Sequence, residues 1–178
     1  MSAKTPDTSG IASAPASGAS KPIPKIWFED FQPGHVAEYG PRIVTREDII
    51  AFARQFDPQP MHLDDAAARQ TLLGALSASG WHTCALVMRI IADGFILDSS
   101  SMGSMGIDEV RWTAPVHAGD ALSVRATVLE TRVSRSRPEM GIVSMFFEVF
   151  AENGETRRKV MTQKNPILMA RRNPGGPA

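Results

Sequence analysis

The stretch from Ser79 to Asp98 constrains the fold of this 178-residue chain more than any other segment. Its spacing of apolar residues favours a helix that is apolar on nearly all sides, with Arg89 and Asp93 as an i,i+4 charged pair. Other parts of the fold must therefore pack against this helix on all sides. The helix also falls short of the roughly 20 apolar residues that cross a bilayer. We therefore expect a long helix buried in a domain that is not inserted in a membrane.

Strand patterns dominate the chain after this helix. The order of elements is one strand, then helices, then four strands in a meander, which predicts an α+β fold with an antiparallel sheet curled around the central helix. A sheet this small leaves an edge uncovered, so we expect a homodimer or a higher homo-oligomer. The Asn153-Gly154 pair favours a tight hairpin between the last two strands. The predicted strands are Val36–Val44, interrupted near Gly40-Pro41, and then Ile107–Thr113, Leu122–Val128, Ile142–Phe150 and Glu155–Leu168.

Two shorter helices are expected between the first strand and the central helix. Thr45 begins the first with a pattern close to a capping box, and this helix would end near Phe56, before two prolines. Asp64 can cap the second, over Asp65–Leu72. The segment Ser99–Gly106 is rich in serine and glycine and is expected to form a flexible loop.

Composition limits the classes of partner and the location of the chain. Basic and acidic residues balance at 19 each, so no net positive field attracts nucleic acid. Cys84 is the single cysteine, which excludes an internal disulfide and fits a reducing cytoplasm. Residues 1–24 are expected to form a disordered tail, residues 25–170 one domain, and residues 171–178 a loose end.

The strongest candidates for chemistry are Asp57 and His62, which are separated by a short segment containing Pro58 and Pro60. General acid-base catalysis needs its two groups in a fixed relation, and proline reduces the conformational freedom that is lost in holding them. The loop from Asp57 to His62 should therefore be stiff and extended. A second interpretation stays open, in which Asp57 caps a turn and His62 is an ordinary hydrogen-bonded core histidine.

Small residues from Leu76 to Gly80 lead into the central helix. Unpaired N–H groups and the positive end of the helix dipole lie at a helix N-terminus, where a substrate oxygen that gains negative charge could be held. Gly80 is the natural donor, because a residue without a side chain lets a ligand approach the backbone closely. Tight packing of small residues is the alternative explanation.

Three motifs follow one another in the chain, namely Asp57-Pro-Gln-Pro-Met-His62-Leu-Asp64, then Gly80, then Ile107-Asp-Glu-Val-Arg-Trp-Thr-Ala-Pro-Val116 with Ala118-Gly119-Asp120. Together they resemble the MaoC-like acyl dehydratases, relatives of the (R)-specific enoyl-CoA hydratases, over residues 27–168. The resemblance implies the hot-dog fold. It also implies that Asp57 and His62 are the catalytic pair beside one water at the end of an acyl-CoA tunnel, and that the backbone N–H of Gly80 binds the thioester carbonyl.

Three positions differ from the pattern of that family. Gln59 stands where Asn is usual, Ser79 stands where His usually precedes the glycine, and Met88 stands where a helix serine is often found. Gln59, Ser79 and Trp81 are candidate substrate-binding residues beside Gly80, although core packing suits Trp81 equally well. These differences bear on substrate shape and acyl length more than on the class of reaction.

The resemblance implies a hydro-lyase that adds water to, or removes it from, a 2-enoyl-CoA thioester with (R) stereochemistry. CoA would be part of the substrate, and no separate cofactor is expected. A hot-dog thioesterase is an alternative, since the same oxyanion site could serve hydrolysis. A non-catalytic acyl-CoA-binding subunit is a third reading, and the presence of Asp57 and His62 argues against it.

The other charged and titratable groups give weaker signals. Arg132, Arg135 and Arg137 could meet the CoA phosphates, since guanidinium suits phosphate geometry, or they could form a solvated hairpin tip. His35 and His117 lie in turn segments and are expected to be solvated. The histidines and the cysteine lack the spacing of metal ligands, so we predict no metal.

Overall fold

A computed structural model describes residues 24–175, so the predicted disordered tail lies almost wholly outside the described residues. An antiparallel sheet accompanies a central helix, as the sequence predicted, but the sheet has six strands where the sequence predicted five. The strands are β1 Val36–Ile43, β2 Ser101–Gly103, β3 Glu109–Trp112, β4 Ala121–Val133, β5 Met140–Asn153 and β6 Thr156–Ala170. The α-helices are α1 Arg46–Phe56, α2 Asp65–Arg69 and α3 Gly80–Ile91, and short 3-10 turns cover Phe28–Asp30 and Pro60–His62.

Helix α1 begins and ends where the sequence predicted. The Thr45 side chain accepts a hydrogen bond from the Asp48 N–H at 3.1 Å, which satisfies one of the free donors of the first turn. The helix ends at Phe56 because Pro58 disfavours helical backbone at the residue before it. Asp57 therefore stands at the end of a rigid element.

Helix α2 is capped as predicted but is shorter than predicted. Asp64 accepts a hydrogen bond from the Ala67 N–H at 2.9 Å. The helix nevertheless ends at Arg69 rather than at Leu72. The Thr71 hydroxyl donates to a carbonyl three residues earlier, at 2.8 Å, and this local bond competes with the helical pattern.

The central helix α3 also differs from its prediction. It continues as a single π-helical turn over Ala92–Ile96 instead of remaining α-helical to Asp98. Its burial is not complete, because Trp81 is 61% exposed and Met88 is 49% exposed. Within residues 24–175, no helix has both the length and the hydropathy that crossing a bilayer requires. The buried side of α3 carries His82, Thr83, Leu86, Val87, Ile90 and Ile91.

The strand order is β1-β4-β5-β6-β2, and β3 also pairs with β6. The predicted four-strand meander is therefore right for β4, β5 and β6 and wrong for β3. After β3 the chain crosses the start of the central helix, where the Ala78 N–H donates to the Val116 carbonyl at 2.8 Å. It then reaches the far side of the sheet, where the Gly119 N–H donates to the Val44 carbonyl. This crossing segment lies over the first turn of α3.

Two regions expected to be loose make specific contacts. The predicted flexible loop Ser99–Gly106 contains β2, which pairs with the end of β6. Arg171, placed in the predicted loose end, is buried, and its guanidinium donates to the Pro138 carbonyl at 2.9 Å. Arg172 donates to Asp30 at 2.7 Å. In both regions hydrogen bonds to distant parts of the chain override a composition that is typical of loops.

Candidate active site

The Asp57 carboxylate directly follows α1 and is held from two sides. The Ser79 hydroxyl donates to Oδ2 at 2.6 Å, and the Gln59 side-chain amide donates to Oδ1 at 2.7 Å. These bonds, with that of Ser79 as the larger effect, hold the pKa of Asp57 below its ordinary value although partial burial opposes them. Asp57 is thus an ionised hydrogen-bond acceptor at neutral pH.

The His62 imidazole is buried, with 5% of the residue exposed, and its orientation is fixed by the backbone. Its Nδ1 lies 2.8 Å from the Ser77 carbonyl oxygen. Because a carbonyl only accepts, Nδ1 carries the hydrogen and donates, and the neutral ring presents an unprotonated Nε2. That Nε2 lies 3.6 Å from Oδ2 of Asp57. The structure therefore brings together the two residues that the sequence paired.

The segment between them is only partly extended, which corrects the sequence-based expectation. Gln59 has extended backbone angles, φ −72° and ψ 137°. Pro60 then starts a 3-10 turn that ends at His62, and the His62 N–H donates to the Gln59 carbonyl at 2.9 Å. Proline suits the first position of a helical turn because its missing N–H would have no partner there. This turn directs the imidazole back toward Asp57.

Gly80 is the first residue of α3, and its N–H has no acceptor among residues 24–175. His62 and Gly80 both line a cavity of about 340 Å³. The free N–H and the helix dipole make this end of α3 suited to an oxygen that carries negative charge. The other residues of the wall are largely apolar and are Met61, Leu73, Ala78, Thr83 and the segment 112–116.

Close packing requires glycine at position 80, which is the alternative explanation that the sequence left open. A Cβ atom there would lie 2.7 Å from Cε2 of Trp112, whose Nε1 donates to the Gly80 carbonyl at 3.0 Å. Glycine therefore makes room for the indole of Trp112, which sequence reasoning missed as a site residue. Trp112 lies inside the third motif, but its pattern indicated only an alternating strand.

The three other candidate residues differ in their burial and in whether they contact Asp57. Ser79 is 1% exposed and directs its hydroxyl at Asp57. Gln59 contacts the same carboxylate from the exposed side. Trp81 lies on the surface, with its ring 5.5 Å from that of Trp112 at 76°, so the core-packing alternative for it is wrong. Among these three, Ser79 and Gln59 contact the predicted acid-base pair directly.

His117 lies behind the carbonyl that orients His62, although the sequence placed it in a solvated turn. Its Nδ1 is 3.3 Å from the Ser77 hydroxyl, and its backbone forms a bridge with Ser77. The His117 N–H donates to Asp120 at 2.8 Å, and Asp120 is fully buried and paired with Arg158. The third motif thus braces the strand-like segment whose carbonyl holds the imidazole of His62.

The arginines considered for CoA binding lie elsewhere in the chain. Arg132 is near the end of β4, and Arg135 and Arg137 follow in the turn to β5. Trp112 pairs with Met161 of β6, whereas this end of the sheet lies near Met169. Eight residues of strand separate the two positions, or about 26 Å. A single chain therefore does not place these guanidinium groups beside its own cavity.

Within the described part of the chain, no group of three or more His, Cys, Asp or Glu side chains is arranged to hold a metal ion.

Comparison with known proteins identifies the family of the chain. A family model described as MaoC like domain matches residues 30–145. The MaoC-like dehydratase from Rhodospirillum rubrum is 36% identical with a TM-score of 0.75, covering 83% of this chain and 99% of that one. The unliganded R-hydratase PhaJ1 from Pseudomonas aeruginosa is 29% identical with a TM-score of 0.64, covering 83% and 87%.

A curated relative adds a named activity. The mesaconyl-CoA hydratase of Haloarcula marismortui is 31% identical over 123 residues, which are 68% of this chain and 28% of the relative. The chain thus spans little more than a quarter of that protein. The structural neighbours confirm the predicted hot-dog fold. Since the family model covers well over half of the residues, the chain belongs to the MaoC-like domain family.

Proposed function

We propose that the chain is a hydro-lyase that adds water to the double bond of a 2-enoyl-CoA thioester, or removes water in the reverse direction. The observation that carries the proposal is the 3.6 Å separation of Asp57 Oδ2 and His62 Nε2, with His62 lining the same cavity as the free N–H of Gly80. The names of the R-hydratase and of the mesaconyl-CoA hydratase support the same class of reaction.

In the proposed mechanism the pair activates water. The Asp57 carboxylate is ionised, and the neutral form of the His62 ring, with its hydrogen on Nδ1, leaves Nε2 as an acceptor, so both atoms can accept hydrogen bonds. Acceptors 3.6 Å apart can bind one water at ordinary hydrogen-bond distance from each. The water oxygen bonds to C3 of the enoyl group as its proton passes to the pair.

The second half of the mechanism uses the helix N-terminus. As C3 gains the hydroxyl group, the double-bond electrons move toward C2 and the thioester oxygen, where the Gly80 N–H stabilises the developing charge. The pair then returns one proton to C2 on the same face, so that Asp57 and His62 end as they began. Dehydration follows the same steps in reverse.

A short enoyl-CoA such as crotonyl-CoA tests this proposal. Loss of the conjugated-enone absorbance without thiol release is the expected result. Release of free thiol would instead indicate the thioesterase alternative, and measurable binding without either change would indicate a non-catalytic acyl-CoA-binding subunit. Mesaconyl-CoA belongs in the same panel because a relative of that name is 31% identical over the matched region.

We also propose that the chain forms a homodimer through the β2–β3 edge. Both strands pair with β6 on one side, and exposed large apolar side chains lie on or between them and on the neighbouring face of α3. An uncovered strand edge with such a surface favours association. These side chains are Trp81, Met88, Met102, Met105, Ile107 and Trp112.

Sedimentation velocity checks the assembly. The parent protein should sediment as a dimer or larger, and Ile107→Lys should shift it toward monomer, because a charge would be buried in the contact. Leu72→Lys, at an exposed position outside the edge, is the matched control. A parent protein that sediments as a monomer contradicts this arrangement.

We propose in addition that the protein acts in the cytoplasm, in fatty acyl-CoA metabolism.

A further inference from the structure

The Ser79 hydroxyl occupies the junction between the central helix and the catalytic carboxylate. Its oxygen accepts a hydrogen bond from the Trp81 N–H at 3.3 Å, and its hydrogen is donated to Asp57 Oδ2 at 2.6 Å. Ser79 is 1% exposed and is absent from the cavity wall. The hydroxyl therefore meets the carboxylate and the helix, but not the space available to substrate.

We propose that Ser79 is a positioning residue for Asp57, holding Oδ2 of the carboxylate turned toward His62. This inference rests on the proposed function and deepens it. It differs from the substrate-binding role that the sequence suggested for Ser79, because both hydrogen bonds of the hydroxyl are made within the protein, to Asp57 and to the Trp81 N–H.

The distance identifies a strong interaction. An O–H···O⁻ bond of 2.6 Å lies in the range of charge-assisted hydrogen bonds, which are about twice as strong as neutral ones. Ser79 is also the N-cap of α3, so the helix N–H that it accepts polarises the hydroxyl and strengthens its donation. The chain of two bonds transmits part of the positive end of the helix dipole to Asp57.

The choice of oxygen matters as much as the strength. Ser79 donates to Oδ2, and the same oxygen is the one that faces His62 Nε2 at 3.6 Å. Gln59 holds the other oxygen, but it lies on the exposed side, where water competes for the same bond. Without the Ser79 hydroxyl, the Asp57 carboxylate would keep only the exposed hydrogen bond from Gln59 and could rotate away from the imidazole.

Two variants and one matched control test the inference. Ser79→Ala removes the hydroxyl. Ser79→Gly also removes it but retains most of the capping preference, because glycine is nearly as good an N-cap as serine. Thr45→Ala removes the N-cap hydroxyl of α1, which makes no contact with Asp57, and so reports the effect of losing a cap alone.

Two measurements on the full chain separate positioning from a structural role. Carboxyl ¹³C NMR titration follows the pKa of Asp57, and kinetics on crotonyl-CoA give kcat and KM. In both Ser79 variants the pKa of Asp57 should rise and kcat should fall about 10- to 100-fold, the usual effect of losing a hydrogen bond to a charged group. KM should stay nearly constant, because Ser79 does not line the cavity. Thr45→Ala should change neither the titration nor kcat.

The outcomes are distinguishable. An unmoved Asp57 titration in the Ser79 variants overturns the inference, whether kcat falls or not, since the hydroxyl would then act only on folding. Parent protein that leaves every enoyl-CoA unchanged overturns the proposed function instead. The NMR titration needs no substrate, so it still decides whether Ser79 holds the carboxylate of Asp57.

Discussion

The two ends of the central helix are built on different principles. At its start, the Ser79 hydroxyl bonds to Asp57, and His62 is oriented by a backbone carbonyl. At its end, the π-helical turn buries Phe95 against Phe31 and Tyr39, with ring centroids 6.2 and 5.4 Å apart, respectively. One end is organised by directional hydrogen bonds between buried polar groups and the other by apolar contact.

This contrast predicts how the two ends respond to substitution. A hydrogen bond fails when a single donor or acceptor is removed, whereas apolar packing weakens in proportion to the volume that is lost. Changes at the start of the helix should therefore affect the rate more than the free energy of unfolding. Changes at the end should do the opposite.

The largest effect is expected from the acid-base pair. Asp57→Asn and His62→Ala should each lower kcat about 100- to 10,000-fold, because proton transfer to and from the substrate would lose one of its groups. Steady-state kinetics on an enoyl-CoA measure this. Asp64→Asn is the control, since asparagine caps α2 equally well and Asp64 faces the Ala67 N–H. Near-normal turnover in a folded Asp57 or His62 variant would falsify the catalytic assignment.

Phe95→Ala should show the opposite pattern at the other end. Phe95 is buried, and its truncation should reduce the free energy of unfolding by about 3 kcal/mol, the lower part of the usual range, because a cavity of about 240 Å³ already lies beside the ring. Urea denaturation measures the loss. The kcat of the folded variant should match that of the parent protein. A tenfold fall in kcat would show that the two ends are coupled.

Two glycines offer a matched pair for the same contrast. An alanine Cβ at Gly80 would strike the Trp112 ring, and one at Gly94 would strike the Tyr39 ring. Overpacking of this kind usually costs about 1–3 kcal/mol. Gly80→Ala should also raise KM or lower kcat, because Trp112 lines the cavity, whereas Gly94→Ala should change stability alone. Equal kinetic effects from the two substitutions would count against the comparison.

The smallest effect concerns the pH dependence of folding. His82 stacks on Phe52 at 4.7 Å, and burial holds the pKa of His82 below its ordinary value. The unfolded chain therefore binds more protons than the folded one below about pH 6.5, so stability should fall as the pH drops through that value. Melting temperatures of His82→Phe and the parent protein across this range test it. Parallel curves would show that His82 contributes nothing to the slope.

Local features of the molecule were predictable from the sequence. Four such features are the Thr45 cap, the helix stop before Pro58, the Asp57–His62 pairing and the tight hairpin between β5 and β6. The turn residues of that hairpin are Gly154 and Glu155, one position later than the predicted Asn153-Gly154 pair. All four features depend on residues close together in the chain. Proline and cap residues act on their immediate neighbours, so these features can be predicted from residues that are adjacent in the sequence. The order of the three motifs along the chain then predicted the hot-dog fold, through the resemblance to the MaoC-like family.

The features that were missed depend on contacts between distant residues. The pairing of β3 with β6, the bond from Ser79 to Asp57 and the indole of Trp112 over Gly80 each join segments at least 20 residues apart. Periodicity gives no information about partners at that separation. The packing partner of Gly80 could not be identified for the same reason, since Trp112 is 32 residues away in the chain.

The position of Trp112 also makes intrinsic tryptophan fluorescence a probe of the cavity. Of the three tryptophans, Trp112 lies in the cavity wall and Trp81 stands edge-on beside it, while Trp27 lies near the beginning of the described chain. Intrinsic fluorescence should therefore be dominated by the surroundings of the cavity. An acyl-CoA that enters it would shift or quench the emission, which gives a direct readout of occupancy without turnover.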